Sequence, residues 1–341
     1  MSEKIKSNRA AWIDWAKTLL IYFVVVGHAG CQGGIKDFIY AFHMPAFFII
    51  SGYLYRPHNW RRTFSSFAIP VLVFSIINLF FQIGFDFIKT GEVDWQRYAL
   101  NSWKAYYSVA WGPEGFVTLF TGVWFIVVLM LCRFLLGDIK LFQSIHRYYK
   151  EIALLMVIWM VSEPFFFPSN TSIIQDLYIY RVLSCFPFMA FGIFMKEQAQ
   201  ERKGYDSASK RGGVLANSFI FMLFLLLGIA ASIDNGLVYV WSNDYGKSFV
   251  SFFVNAIILS VVLFRFCWFM KPNKYIETFS QGTLFILGIH SVLIRIWHNI
   301  LELIGIANMP VEPFLVGGLT ICTCYIPICW CLKHFPSLLG K

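Results

Sequence analysis

About ten stretches of roughly twenty mainly apolar residues follow one another along the 341-residue chain, with short polar segments between them. A helix needs about 20 such residues to cross roughly 30 Å of hydrocarbon. Runs such as FIFMLFLLLGIAA lack the alternating polarity of strands in a membrane barrel. We therefore predict an all-α integral membrane protein, a bundle of about ten transmembrane helices near residues 12–30, 38–55, 64–88, 117–137, 151–167, 177–195, 214–232, 248–270, 280–304 and 313–332.

The polar connections between these stretches are too short to hold a second domain. The longest lie at 89–116 and 196–213, so we expect residues 1–341 to form a single integral membrane domain. The first stretch is longer than the core of a signal peptide, and no small-residue cleavage site follows it. It should therefore remain as a helix.

The distribution of lysine and arginine indicates how the helices are oriented. With the N-terminus inside, the inner segments hold 20 of these residues and the outer segments hold five. Because basic residues are retained on the cytoplasmic side, we predict a multi-pass protein of the cell membrane with both termini in the cytoplasm. The net charge of +9 then reflects contact with anionic membrane lipid, and we expect no nucleic acid partner.

Several ionisable side chains fall inside the predicted membrane helices. A lysine, arginine or aspartate at a helix centre costs about 2.5–3.5 kcal/mol, so a group of them must be paired, hydrated or functional. Side chains near helix ends can instead extend their polar tips to the interface, which remains the alternative for Arg181, Arg295 and His298. The whole set consists of Asp14, Lys17, His28, His43, Glu163, Arg181, His290, Arg295 and His298.

Lys17 and His28 have a spacing that places them on one face of the first helix. Eleven residues at 100° each amount to three turns plus about 20°, with a separation of roughly 16 Å along the axis. With the N-terminus inside, Lys17 lies towards the cytoplasm and His28 towards the outside. Asp14 precedes Lys17 by three residues and can pair with it.

His43 is followed closely by Pro45 within an otherwise apolar stretch. The proline is tolerated in the first turn of a helix, or it kinks the helix and leaves backbone groups that need polar partners. The kink would place His43 at the outer mouth of the protein interior. An interfacial histidine beside a capping proline is the alternative.

Two segments near the N-terminus resemble those of a known family. IDWAKTLLIYFVVVGHAG and FIYAFHMPAFFIISGYLY are similar to the signature segments of acyltransferase family 3, multispan membrane O-acyltransferases that modify cell-surface polysaccharides and related glycans. The family's basic residue, ten intervening residues and histidine match Lys17 and His28. Its histidine-proline segment matches residues 42–53.

Weaker similarities to the family extend over most of the chain, at Arg61-Arg62 with FAIPVLVF, VWFIVVLML, FPFMAFGIFMK and FSQGTLFILGIH. Thr18 stands where glycine often follows the basic residue, and Gly282-Thr283 replaces the usual Asn-Ser. Neither departure removes a group with obvious chemistry. No esterase-like domain is appended, so the chain resembles the stand-alone, fucose-4-O-acetylase-like members.

The resemblance implies transfer of an acyl group, commonly acetyl, from acyl-CoA such as acetyl-CoA to a sugar hydroxyl. We expect His28 to act as general base, with His43 beside it, and Lys17 and Asp14 to hold the first helix or the donor. Arg61 and Arg62 lie on the inner side, where guanidinium groups favour the phosphates of coenzyme A.

Further candidates for substrate binding lie in the outer half of the predicted bundle. An aromatic ring such as that of Trp124 can stack on a sugar, although aromatic residues are also common at membrane interfaces. Arg181, Arg295 or His290 could stabilise an oxyanion, and Glu163 lies at a similar depth. We expect no metal, since Cys322 and Cys324 point to different faces of a helix.

We expect the donor to enter from the cytoplasm and the acceptor, a glycan or a lipid-linked sugar, to enter from outside. The simpler alternative keeps both substrates in the cytoplasm. An exporter or flippase for a glycan or its lipid-linked precursor is a second alternative, but no paired broken helices or repeated half is visible. A structural subunit would leave the buried charges unexplained.

Overall fold

The computed structural model describes residues 10–96, 122–166, 178–202, 214–306 and 309–341. These residues form helices, turns and connecting segments, with an isolated β-bridge between Tyr239 and Asp244, so the predicted all-α class is confirmed. Numbered in chain order within this part of the chain, the helices are α1 (Ala11–His28), α2 (Gly33–Tyr53), α3 (Trp60–Thr90), α4 (Val123–Arg133), α5 (Tyr149–Phe166), α6 (Tyr178–Arg202), α7 (Val214–Asn235), α8 (Phe249–Trp268), α9 (Lys274–Gln281), α10 (Thr283–Leu303) and α11 (Glu312–His334).

Each apolar stretch predicted from the sequence overlaps one of these helices. The boundaries differ most at α6, which ends at Arg202 rather than at residue 195. Helix α2 begins at Gly33 rather than at residue 38, so that Pro45 lies well inside the helix. The short helix α9 was not predicted. Its first turn is capped by Asn273, whose side chain accepts hydrogen bonds from the backbone N–H groups of Tyr275 and Ile276.

Four of the described helices are both long and apolar enough to cross a membrane, namely α3, α8, α10 and α11. The count of about ten crossings and the cytoplasmic location of both termini stay predictions. Large apolar side chains are exposed along α3, where Leu72 is 61%, Phe80 70% and Ile88 83% exposed. An apolar surface of this kind suits the hydrocarbon of a membrane.

Helices α2 and α6 pack closely through two glycines. A Cβ atom at Gly52 would collide with the backbone carbonyl of Met189, and one at Gly192 would collide with that of Ile49. Each helix therefore presents a glycine to the backbone of the other, as small residues do where membrane helices approach closely. The contact fixes α2, which carries His43, against α6.

The two ends of the bundle carry different polar groups. At the histidine end, α1 ends at His28, α2 begins at Gly33, and residues 236–248 connect α7 to α8. At the opposite, arginine end, α2 ends at Tyr53 and α3 begins at Trp60. The polar side chains that carry candidate functions lie at or between these ends.

Candidate active site

One face of α1 lines an apolar cavity of about 350 Å³ inside the bundle. Lys17, Ile21 and Val24 belong to its wall at intervals of four and three residues, and His28 continues that face one turn further. Apolar side chains of α2, α4 and α10 complete most of the wall, among them that of Leu287. We call this space the apolar cavity; it leads along α1 from Lys17 towards His28.

His28 lies beside His290 of α10 at the histidine end. Their ring centroids are 5.2 Å apart, and the planes are tilted by 51°. His28 is exposed, whereas His290 is buried with 1% of its surface exposed. Leu287, one turn before His290, lines the apolar cavity, so this cavity approaches the histidine pair from both α1 and α10.

The backbone fixes which nitrogen of His290 carries a proton. Its Nδ1 lies 2.8 Å from the carbonyl oxygen of Leu287, which can only accept, so Nδ1 is the donor. In the neutral ring, Nε2 then carries a lone pair, and it is buried without a hydrogen-bond partner among the described residues. Neutral His290 therefore accepts a hydrogen bond at Nε2 and lacks the donor that an oxyanion requires.

His43 is buried beneath Tyr40 on α2. Its Nδ1 donates to the carbonyl oxygen of Ile39 at 2.6 Å, and its ring centroid is 5.1 Å from that of Tyr40. Tyr40 in turn donates to the carbonyl oxygen of Gly27, the residue before His28. With 5% of its surface exposed, His43 packs against Tyr40 and does not stand at an open mouth of the protein interior, the position predicted from the sequence.

The N-terminal half of α1 is hydrogen-bonded to α9. Lys17 Nζ donates to the carbonyl oxygen of Ser280 at 2.6 Å, and the Thr18 hydroxyl donates to that of Ile276 at 3.1 Å. Ser280 is in the last turn of α9, where the helix dipole favours a cation. Asp14 is buried one turn before Lys17. Lys17 thus anchors α1 and also places a charge in the wall of the apolar cavity.

A second cavity of about 290 Å³ at the arginine end carries positively charged side chains. Arg62, Arg133 and Lys341 line it, together with His58. Phe67 and Arg133 belong to the walls of both cavities, so the two spaces adjoin. We call the second space the arginine cavity.

The predicted pair of arginines is divided by the structure. Arg62 lines the arginine cavity, but Arg61 lines neither cavity. Arg61 is exposed, and its guanidinium group lies over the ring of Trp60 at 5.6 Å. Successive residues in a helix point about 100° apart, so both cannot face one cavity equally.

Asp138 organises the arginine end, and sequence reasoning missed it. Its buried carboxylate lies 3.0 and 3.1 Å from two guanidinium nitrogens of Arg133. It also accepts hydrogen bonds from the Tyr55 hydroxyl, the Thr63 hydroxyl and the backbone N–H of His58. One carboxylate therefore joins α4, the α2–α3 connection and the start of α3.

Arg133 was counted from the sequence only as a basic residue retained on the inner side. A π-helical turn, Phe134–Asp138, brings Asp138 back onto Arg133, and Gly137 in this turn has a φ of +112°. Glycine adopts such a φ without steric cost. The detectable signal was an arginine, a glycine and an aspartate within six residues at the inner end of an apolar stretch.

Arg181 and Arg295 differ in their surroundings. Arg181, 1% exposed, donates from Nε to the backbone carbonyl of Trp241 in the α7–α8 connection. Arg295 is exposed, and its guanidinium group lies over the ring of Phe85 on α3 at 5.1 Å. Of these two, Arg181 alone is directed by a described contact to the connection at the histidine end.

Trp124 and Glu163 are placed less directly in the site. Trp124 is partly buried at the start of α4, but its neighbour Phe125, rather than Trp124, lines the apolar cavity. Glu163 belongs to α5, and its side chain lies outside the described part of the structure. Within the described residues, no group of three or more His, Cys, Asp or Glu side chains could hold a metal ion.

The family model Acyl_transf_3, described as an acyltransferase domain, matches residues 10–329, which include α1 through most of α11. No curated protein and no solved structure matches the chain.

Proposed function

The chain belongs to acyltransferase family 3, and on that premise we propose that it transfers an acyl group, commonly acetyl, from acyl-CoA to a hydroxyl of a cell-surface sugar. Family membership establishes a membrane acyltransferase in general and favours transfer chemistry over an exporter. The donor, the acceptor and the residue roles that follow belong to the proposal.

The shared face of α1 is the observation that carries this proposal. Lys17, Ile21 and Val24 line the apolar cavity, and His28 stands one turn beyond its wall with His290 at 5.2 Å. An extended thioester chain in the apolar cavity would therefore present its reactive end to an imidazole pair. Its head group would remain at the arginine end.

The arginine cavity suits the head group of coenzyme A. Guanidinium groups bind phosphate oxygens with charge-assisted and often bidentate hydrogen bonds. Arg62 and Arg133 face this cavity, and Asp138 holds the Arg133 guanidinium in one orientation. The mostly apolar wall beyond them suits the uncharged arm of the donor.

His28 is the general base in the proposed reaction. It takes the proton of the acceptor hydroxyl as that oxygen attacks the thioester carbonyl, a contribution typically of about 10² to 10⁴ in rate. The tetrahedral intermediate collapses with cleavage of the carbon–sulfur bond, and the proton passes from His28 to the departing thiolate. His290 Nε2 can accept a hydrogen bond from protonated His28 and so stabilise the ion formed during transfer.

Mass spectrometry of surface glycans tests the proposal. Cells that produce the wild-type protein should carry an acyl mass on a surface sugar, and cells that produce His28→Ala should lose it at equal protein abundance in the membrane. His334→Ala is the matched control, because His334 is exposed on α11 and lines neither cavity. Retained acylation in a well-expressed His28→Ala variant would exclude the assigned role.

A further inference from the structure

A partly exposed aromatic wall stands at the histidine end, beside His28. Tyr40 of α2 meets Tyr239 with ring centroids 5.6 Å apart, and Tyr239 meets Trp241 at 5.9 Å. The Tyr40 hydroxyl lies 3.4 Å from the carbonyl oxygen of Gly27, the residue before His28. We call Tyr40, Tyr239 and Trp241 the aromatic wall.

Lys36 places an ammonium group on this wall. Its Nζ lies 5.5 Å from the ring centroid of Tyr40 and 5.7 Å from that of Tyr239, so two aromatic faces hold it by cation–π contact. No described carboxylate forms a salt bridge with it. Because Tyr40 also contacts the carbonyl oxygen of Gly27, the residue before His28, the ammonium group lies near the reacting end of the site.

The connection that carries Tyr239 and Trp241 is held in a defined conformation. Arg181 donates to the carbonyl oxygen of Trp241, and Tyr239 exchanges backbone hydrogen bonds with Asp244. Asn235 at the end of α7 donates to the carbonyl oxygen of Tyr245 at 2.8 Å. A wall fixed in this way can bind a ligand without first being ordered.

We propose that Lys36, Tyr239 and Trp241 form the acceptor subsite and select a sugar that carries an anionic group, a carboxylate or a phosphate. The proposal rests on the function proposed above and names the class of its acceptor. Arg181 is then a positioning residue that acts through Trp241, and the oxyanion role expected from the sequence is not needed for it.

The chemistry of the subsite supports this choice. Aromatic faces pack against the apolar face of a sugar ring. An ammonium group that no described carboxylate neutralises attracts an anionic substituent, and its position near His28 would orient the neighbouring hydroxyl for deprotonation. A neutral sugar would gain only the stacking contact.

Direct binding measurements on the purified full-length protein test the subsite. The probes are a trisaccharide of galacturonic acid, the matched neutral trisaccharide of galactose, and galactose 1-phosphate compared with galactose. The wild-type protein should bind each anionic probe about tenfold more tightly than its neutral counterpart, a difference expected of a charge-assisted contact. The two anionic probes separate a carboxylate from a phosphate as the preferred group.

Substitutions test whether Lys36 causes the tighter binding of the anionic probes. Lys36→Gln should abolish it, Lys36→Arg should keep most of it, and Tyr239→Ala should weaken all probes alike. Lys247→Gln is the matched control, since Lys247 lies at the same end but already pairs with Asp234 at 2.9 Å. Equal binding or no binding of the charged and neutral probes by the wild-type protein, or an unchanged preference in Lys36→Gln, overturns the proposal.

Acyl transfer to the same trisaccharides is measured separately, so that the two proposals can fail independently. Transfer to acidic and neutral acceptors with equal efficiency contradicts the subsite and leaves the acyltransferase function intact. A Lys36-dependent preference in binding without transfer from any acyl-CoA supports the subsite and contradicts the proposed donor.

Discussion

At the scale of single residues, the proposal predicts different roles for the two neighbouring arginines at the arginine end. Arg62 faces the arginine cavity and Arg61 does not, although they are adjacent in sequence. Arg62→Gln should therefore raise the KM for acyl-CoA about tenfold or more, because a hydrogen bond to a charged group contributes about 1.5–3 kcal/mol. Arg61→Gln should change the same KM less than about twofold, because Arg61 lies over the ring of Trp60 and lines neither cavity, and an exposed charge outside the site contributes little.

Steady-state kinetics at fixed acceptor concentration check this difference. The acceptor KM serves as the internal control, since both arginines lie at the end of the bundle opposite His28. Equal effects of the two substitutions would place the phosphate site outside the arginine cavity.

Asp138 supports the same cavity through buried bonds. Asp138→Asn leaves the Arg133 guanidinium without its carboxylate, and breaking a buried ion pair costs about 3–5 kcal/mol. We expect a clear fall in the thermal unfolding temperature in detergent, together with a raised donor KM. Asp234→Asn removes the exposed pair with Lys247 and should change the unfolding temperature little. Equal stability of the two variants would contradict the organising role of Asp138.

The positions of some residues in the candidate site follow from the sequence, and those of others do not. The shared face of Lys17 and His28 follows from helical periodicity, which is local. The proximity of His290 to His28 requires α1 and α10 to pack together. The periodicity of one helix carries no information about a contact between two helices. The family resemblance drew attention to the segment ending at His290, but the orientation of its ring depends on the carbonyl of Leu287.

At the scale of helices, the crossing of α2 and α6 depends on glycine. Gly52→Ala and Gly192→Ala should each destabilise the protein by several degrees, because the added Cβ would meet a backbone carbonyl that cannot turn away. Gly84→Ala in α3 is the control, since a Cβ there meets nothing within 4 Å. It should be neutral or stabilising by up to about 1 kcal/mol.

Thermal unfolding of the three alanine variants in one detergent makes this comparison. If Gly52→Ala were as stable as Gly84→Ala, the close approach of α2 and α6 would be wrong.

Long apolar helices were predicted well because each stretch is a strong, continuous pattern. The short helix α9 and the π-helical turn were missed for a physical reason. Helix α9 is amphipathic and polar in composition, and it is held by the Asn273 cap and by contacts to Lys17 and Thr18 of α1. The turn at Phe134–Asp138 depends on the bonds of Asp138 to partners far away in sequence.

For the whole molecule, the arginine cavity and the aromatic wall lie at opposite ends of the bundle, which predicts that donor and acceptor approach from opposite sides. Sealed vesicles of known orientation, loaded with acyl-CoA on the cytoplasmic face of the protein, should acylate an acceptor supplied only at the other face. The physical reason is the separation of the arginine cavity from His28 along the bundle.

Vesicles with the opposite orientation provide the control and should be inactive with the same additions. Acylation that requires donor and acceptor in one compartment would contradict a transmembrane route and support the alternative with both substrates in the cytoplasm.

Helix α1 also sets a fixed distance between two groups of the candidate site. Lys17 and His28 are eleven residues apart on one rigid helix, so the distance between them is set at about 16 Å by the rise of the backbone. In the proposed reaction, a donor arm that passes Lys17 in the apolar cavity must cover this length before its thioester reaches the imidazole pair. The protein would then select donors by the length of their arm. An acyl group on a shorter carrier would not reach His28, even if its chemistry were unchanged.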